Sequence, residues 1–133
     1  MKVYRILTDI TTYQNDTVED WMSIKDKNEI SKIADSSSFY NYDIIENDII
    51  TPFIICESKF MFVLKSVIEK YGIKFIPEDI TKEFLYGKVH IPDEDFINYR
   101  KQNLTEDIIF DKINELGAES LDELDKKILH ENN

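Results

Sequence analysis

The sequence predicts an α/β or α+β fold: a single domain with a mixed sheet, a centrally packed helix and helices at its C-terminal end. Three observations carry this. The first is the punctuation of Pro52 to Pro77. Phe53-Ile54-Ile55 is a short apolar run of strand character. Phe60, Met61, Leu64, Val67, Ile68 and Tyr71 then recur at the spacing of one helix face. Ser58 is placed to cap that helix, Gly72 to stop it, and Ile73 to Ile76 to follow as a strand closed by Pro77. The second is Val3 to Leu7, which reads as a strand entering the sheet from the terminus. The third is a series of capped amphipathic segments after Asp93.

Taken in order, the sheet is expected from residues 2–8, 53–55, 73–76 and 84–91. Asp16 or Thr17 opens a helix with Glu19 or Asp20 returning the capping interaction. Trp21 and Met22 lie in its first turns, Ile30, Ile33 and Ala34 follow further on, and polar Lys25 to Glu29 between them is a place where it could break in two. Phe39 to Ile50 reads as a strand or irregular extended piece with a turn at Asn47-Asp48. Glu78 to Glu83 is a polar turn or a short helical turn. Phe84 to Ile91 forms a hairpin or one strand bulged at Gly87. Beyond it, Phe96, Ile97 and Tyr99 lie on a short helix. Thr105 caps a helix that Gly117 stops, with Ile108, Ile109, Ile113 and Leu116 as its apolar face. Ser120-Leu121-Asp122-Glu123 is a capping box for the last helix, which would bury Leu121, Leu124, Ile128 and Leu129.

The chain of 133 residues, 42% hydrophobic, suits one domain with a real core, residues 1–133, of which 93–133 form an acidic helical part. A formal charge of −11 argues against direct contact with nucleic-acid phosphates and against an anionic membrane surface. It suits a basic protein partner, steered over long range, and it also keeps a protein soluble. From Asp93 onward there are 12 acids and 5 bases, so most of the net charge lies in the final third. The opening residues lack a signal-peptide pattern and no apolar run is long enough to span a membrane, so a cytoplasmic location is expected. The oligomeric state is left open.

No catalytic constellation stands out, and no enzyme activity, metal or cofactor is expected. Cys56 is the single cysteine; Glu57 beside it disfavours a reactive thiolate, and a small buried cysteine is the simpler reading. His90 lies in an alternating run. With two histidines, a three-histidine metal site cannot form. Asp93-Glu94-Asp95 lacks the alternating ligands and glycine of a calcium loop and is explained by the dipole of the helix it opens. The candidate partner-binding residues are Tyr40, Tyr42, Asp43, Glu46 and Asp48, with Asp93, Glu94, Asp95, Glu106 and Asp107. Tyrosine supplies contact area and the acids supply orientation.

The central unit carries a resemblance. Ile54-Ile55-Cys56-Glu57-Ser58-Lys59-Phe60, followed by the amphipathic helix, Tyr71-Gly72 and a strand ending at Pro77, is similar to a segment of bacterial polymorphic-toxin immunity families. There a run of the kind Ile-Ile-Ser-Glu-Lys-Phe precedes such a helix; here it is shifted by one residue. The resemblance carries no catalytic motif. It implies a small cytoplasmic inhibitor that neutralises a toxin domain by binding it. Two other expectations stay open: a phage-encoded acidic inhibitor that mimics DNA against a nuclease or defence complex, and a small enzyme using Cys56 or the acidic residues.

Overall fold

The computed structural model describes residues 1–9, 22–42 and 49–131. The helix opening expected at Asp16 or Thr17 and the turn at Asn47-Asp48 lie outside them. Among the described residues the chain is mixed α/β, with four strands and six α-helices. It divides into two compact units, residues 1–80 and 81–133.

The first unit holds all the strands: β1 (Lys2–Asp9), β2 (Ser38–Tyr42), β3 (Ile49–Cys56) and β4 (Phe75–Asp79). Their order in the sheet is β2-β3-β1-β4. Every pairing is antiparallel, where a mixed sheet was expected. The strand–helix–strand unit is nevertheless present. Because β3 and β4 are both antiparallel to β1 and lie on either side of it, they run in the same direction with β1 inserted between them. A helix is the usual connection for strands related this way.

That helix is α2 (Ser58–Glu69), with α1 (Ile24–Asp35) before it. Met61, Leu64, Val67 and Ile68 are its buried positions, and they realise the spacing read from the sequence. Tyr4, Ile6, Ile54, Cys56 and Phe75 join Met61, Leu64 and Ile68 in one core cluster. Each such side chain contributes about 1.5–3 kcal/mol on burial, so this layer dominates the unit's stability. Ser58 is not the cap: Glu57 holds that position and makes no side-chain capping bond. Pro77 lies inside β4 rather than ending the strand. It is tolerated because β4 is an edge, where a missing N–H leaves no ladder bond unmade.

The polar run Lys25 to Glu29 does not break α1. Ser23 caps this helix, accepting the Asp26 N–H at 3.1 Å. Asp26 is buried and ties α1 to the end of α2. Its Oδ2 accepts the Tyr71 hydroxyl at 2.5 Å, its Oδ1 accepts Lys70 Nζ at 3.3 Å, and the Ser23 N–H donates to the Tyr71 oxygen at 3.0 Å.

The second unit is helical. It contains α3 (Thr81–Leu85), α4 (Glu94–Asn103), α5 (Glu106–Leu116) and α6 (Glu123–Glu131). The strand or hairpin expected over 84–91 does not form. Phe84 and Leu85 end a helix instead, and the glycine read as a bulge is its stop. Gly87 has φ +79°, its N–H donates to the Phe84 carbonyl, and the Lys88 N–H donates to the Glu83 carbonyl. This is the left-handed closure that glycine permits at a helix end. Phe84, Leu85, Tyr86, Ile91, Phe96, Tyr99, Leu104 and Ile109 are buried, and the Phe84 and Phe96 rings meet edge to face at 6.1 Å.

The Tyr71 hydrogen bond, with help from Lys70 and Ser23, holds the Asp26 carboxyl below the ordinary carboxylate range despite its burial. A depressed folded-state pKa contributes stability that is complete above the unfolded value and is lost as pH falls through the folded one. Tyr71→Phe removes the largest cause of the depression. Its acid-unfolding midpoint, followed by circular dichroism, is expected at higher pH than that of the parent protein.

Candidate functional site

The candidate acids fall at helix starts, each with a local structural reason. Asp93 caps α4, its carboxylate accepting the Asp95 N–H at 3.0 Å, and Glu94 and Asp95 occupy the first turn. Thr105 caps α5 through the Ile108 N–H, with Glu106 and Asp107 in the first turn. Both clusters are favourable against the positive end of a helix dipole. They are not one patch. The start of α5 follows the end of α4, so the length of α4, roughly 15 Å for ten residues, separates them.

Tyr40 is half-buried on β2, opposite Phe53 of β3. Tyr42 pairs opposite Thr51. Asp43, Glu46 and Asp48 lie outside the described residues.

The outer face of α5 carries a feature the sequence reading passed over. Asp107, Phe110, Asp111 and Asn114 follow at helical spacing and all are exposed. Phe110 is 49% accessible on a helix whose other face packs inward. Neither Asp107 nor Asp111 has a cation within ion-pair distance among the described residues.

Most cations of this unit are engaged internally. Asp125 and Lys112 are both buried, with Lys112 Nζ 2.6 Å from Asp125 Oδ2. Arg100 reaches Asp125 at 3.5 Å and Asp122 at 2.6 Å, and its Nε donates to the Leu85 carbonyl. The two aspartates also cap α6 reciprocally: the Asp125 N–H donates to Asp122 Oδ1 and the Asp122 N–H to Asp125 Oδ2. The capping box therefore begins at Asp122, not at Ser120, which sits in a short 3-10 turn. Burial alone would raise the Asp122 carboxyl, but the Asp125 N–H and the Arg100 guanidinium together hold it below its ordinary value. Lys82 binds Glu115 at 2.8 Å, which raises the lysine and lowers the glutamate.

The signal for this network was a charge on each apolar stripe. Lys112 falls beside Ile109 and Ile113 on α5, and Asp125 beside Leu124 and Ile128 on α6. Opposite charges at core positions of neighbouring helices point to a buried pair.

A cleft of about 310 Å³ opens beside the network. Ile97, Arg100 and Lys101 line it from one face of α4, Val89, His90 and Ile91 from the connection before it, and Asp122 and Leu124 from the start of α6. Gly87 lies against the ion pair so closely that a Cβ there would sit 2.6 Å from Asp122 Oδ2.

Cys56 is fully buried in the core, and burial pushes its thiol up to about 11. At neutral pH it is protonated and shielded, a state unsuited to nucleophilic attack. His90 is exposed. Among the described residues no group of three histidine, cysteine or acidic side chains is arranged to hold a metal ion, and no helix is long and apolar enough to cross a membrane.

Comparison of the chain with protein-family models, with characterised proteins and with solved structures returned no match.

Two outcomes follow from this geometry. Asp125→Ala leaves Lys112 buried without a counter-charge and is expected to cost about 3–5 kcal/mol in urea unfolding. The double replacement Lys112→Met with Asp125→Leu should be less destabilising than Asp125→Ala alone; additive losses would contradict the pairing. The native Cys56 thiol should resist an aromatic disulfide reagent at neutral pH and react fully once the protein is unfolded.

Proposed function

We propose that this protein is a non-enzymatic binding protein that neutralises a basic protein partner, as an immunity protein does for its toxin. The observation that carries this reading is the outer face of α5, where half-exposed Phe110 is flanked by Asp107 and Asp111 without cationic partners among the described residues. An aromatic side chain held on a rigid helix gives apolar contact area at low entropic cost, and carboxylates around it orient a cationic surface and repel an acidic one. The net charge of −11 supplies long-range attraction for such a partner. Asp93, Glu94 and Asp95 extend the same sign of charge to the far end of α4.

The reading implies cytoplasmic action beside a toxin-producing system, in keeping with the resemblance in the segment Ile54 to Pro77. The burial of Cys56 supports this reading over one in which its thiol is a nucleophile.

The test is capture of partners from native lysate and culture fluid by tagged protein, with α5 variants in parallel. Retention of a basic protein at low salt and its release at high salt is expected, because exposed charge pairs are screened. Phe110→Ala and the pair Asp107→Lys with Asp111→Lys should each reduce retention at least about tenfold, the scale of a hot-spot loss of about 1.4 kcal/mol. Retention unchanged in both variants, or insensitive to salt, would sink the α5 reading.

A further inference from the structure

We propose that the cleft between α4, the 89–91 connection and the start of α6 binds a small organic carboxylate with an apolar body. This goes beyond the partner-binding reading and does not rest on it. The cleft holds about 310 Å³, the size of a compact ligand site. Its apolar lining is Phe84, Val89, Ile91, Ile97 and Leu124, so it favours an aliphatic or aryl group over a hydrated one.

The charge of its lining is the reverse of the molecule's. Arg100 and Lys101 line the cleft against one acid, Asp122, in a protein of net charge −11. Asp122 is already committed to Arg100 at 2.6 Å and to the N–H of Asp125, so it does not neutralise Lys101. Lys101 is exposed and has no acidic partner within ion-pair distance among the described residues. Lys82, Arg100, Lys112, Lys126 and Lys127 of the same unit have one, and Lys88, which has none, does not line the cleft. An ammonium next to an apolar cleft, left without a counter-ion in a strongly acidic protein, is what a carboxylate needs for a charge-assisted hydrogen bond.

The site is also preorganised. Ile97, Arg100 and Lys101 stand at i, i+3 and i+4, one face of α4. Arg100 is fixed from three sides, by the Leu85 carbonyl, Asp122 and Asp125. Gly87 closes the adjoining turn at φ +79°, a conformation that strains other residues, and a Cβ there would press on the Asp122 carboxylate. A ligand therefore meets a wall that is already ordered, and little ordering entropy is spent on binding.

The experiment is a titration of the full chain with phenylacetate and with hexanoate, followed by amide chemical shifts, with phenylacetamide and hexanamide as neutral controls. Saturable shifts should be confined to residues 84–101 and 121–124. The amides should bind at least about tenfold more weakly, the loss of one charge-assisted hydrogen bond. Lys101→Ala should weaken carboxylate binding by the same factor, while Lys88→Ala should leave it unchanged. Absence of saturable shifts, shifts scattered over surface lysines, equal binding of acid and amide, or full binding by Lys101→Ala would each overturn the proposal.

Discussion

The buried pair Lys112–Asp125 is the constraint on which the C-terminal unit depends. A carboxylate and an ammonium taken out of water are costly unless each is fully occupied. Here the carboxylate takes Lys112, the Arg100 guanidinium and the Asp122 N–H at once. That satisfaction fixes where α6 begins and holds α4, α5 and α6 to one another within the unit. Lys112 and Arg100 are committed to this network, while Glu94, Asp95 and Asp107 at the starts of α4 and α5 are exposed.

The N-terminal unit solves its packing differently. One amphipathic helix lies on one face of an antiparallel sheet, and burial is almost wholly apolar. Among the described residues its buried polar anchor is Asp26, which joins the first turn of α1 to the chain just after α2. There a tyrosine hydroxyl acts both as donor to the carboxylate and as acceptor from the Ser23 N–H. The two units thus use ionisable groups in opposite ways: one as an edge clamp, the other as a central pin.

The α/β class, the strand–helix–strand unit, the stops at Gly72 and Gly117 and the cap at Thr105 were legible because each is written in local chemistry. Four features were not. The direction of strand pairing depends on β1 inserting between β3 and β4, a long-range event that no window of sequence encodes. Phe84-Leu85-Tyr86 has strand-type residues, yet packing against Phe96 and Tyr99 makes it the end of a helix, and Gly87 serves as a stop instead of a bulge. The capping box moved from Ser120 to Asp122 because Asp125 returns the bond from inside the core. Phe110 was not singled out, since an apolar residue on a helix is expected inward. Of the candidate partner residues, those on α4 and α5 are exposed or half-exposed as a binding role needs, but they form two separate turns.

A basic partner seated on the outer face of α5 would be read by hydrogen exchange of the captured complex against the free protein. Exchange should slow over Glu106 to Asn114, and that protection should be lost at high salt. Protection confined to other segments, with α5 exchanging as it does in the free protein, would contradict it.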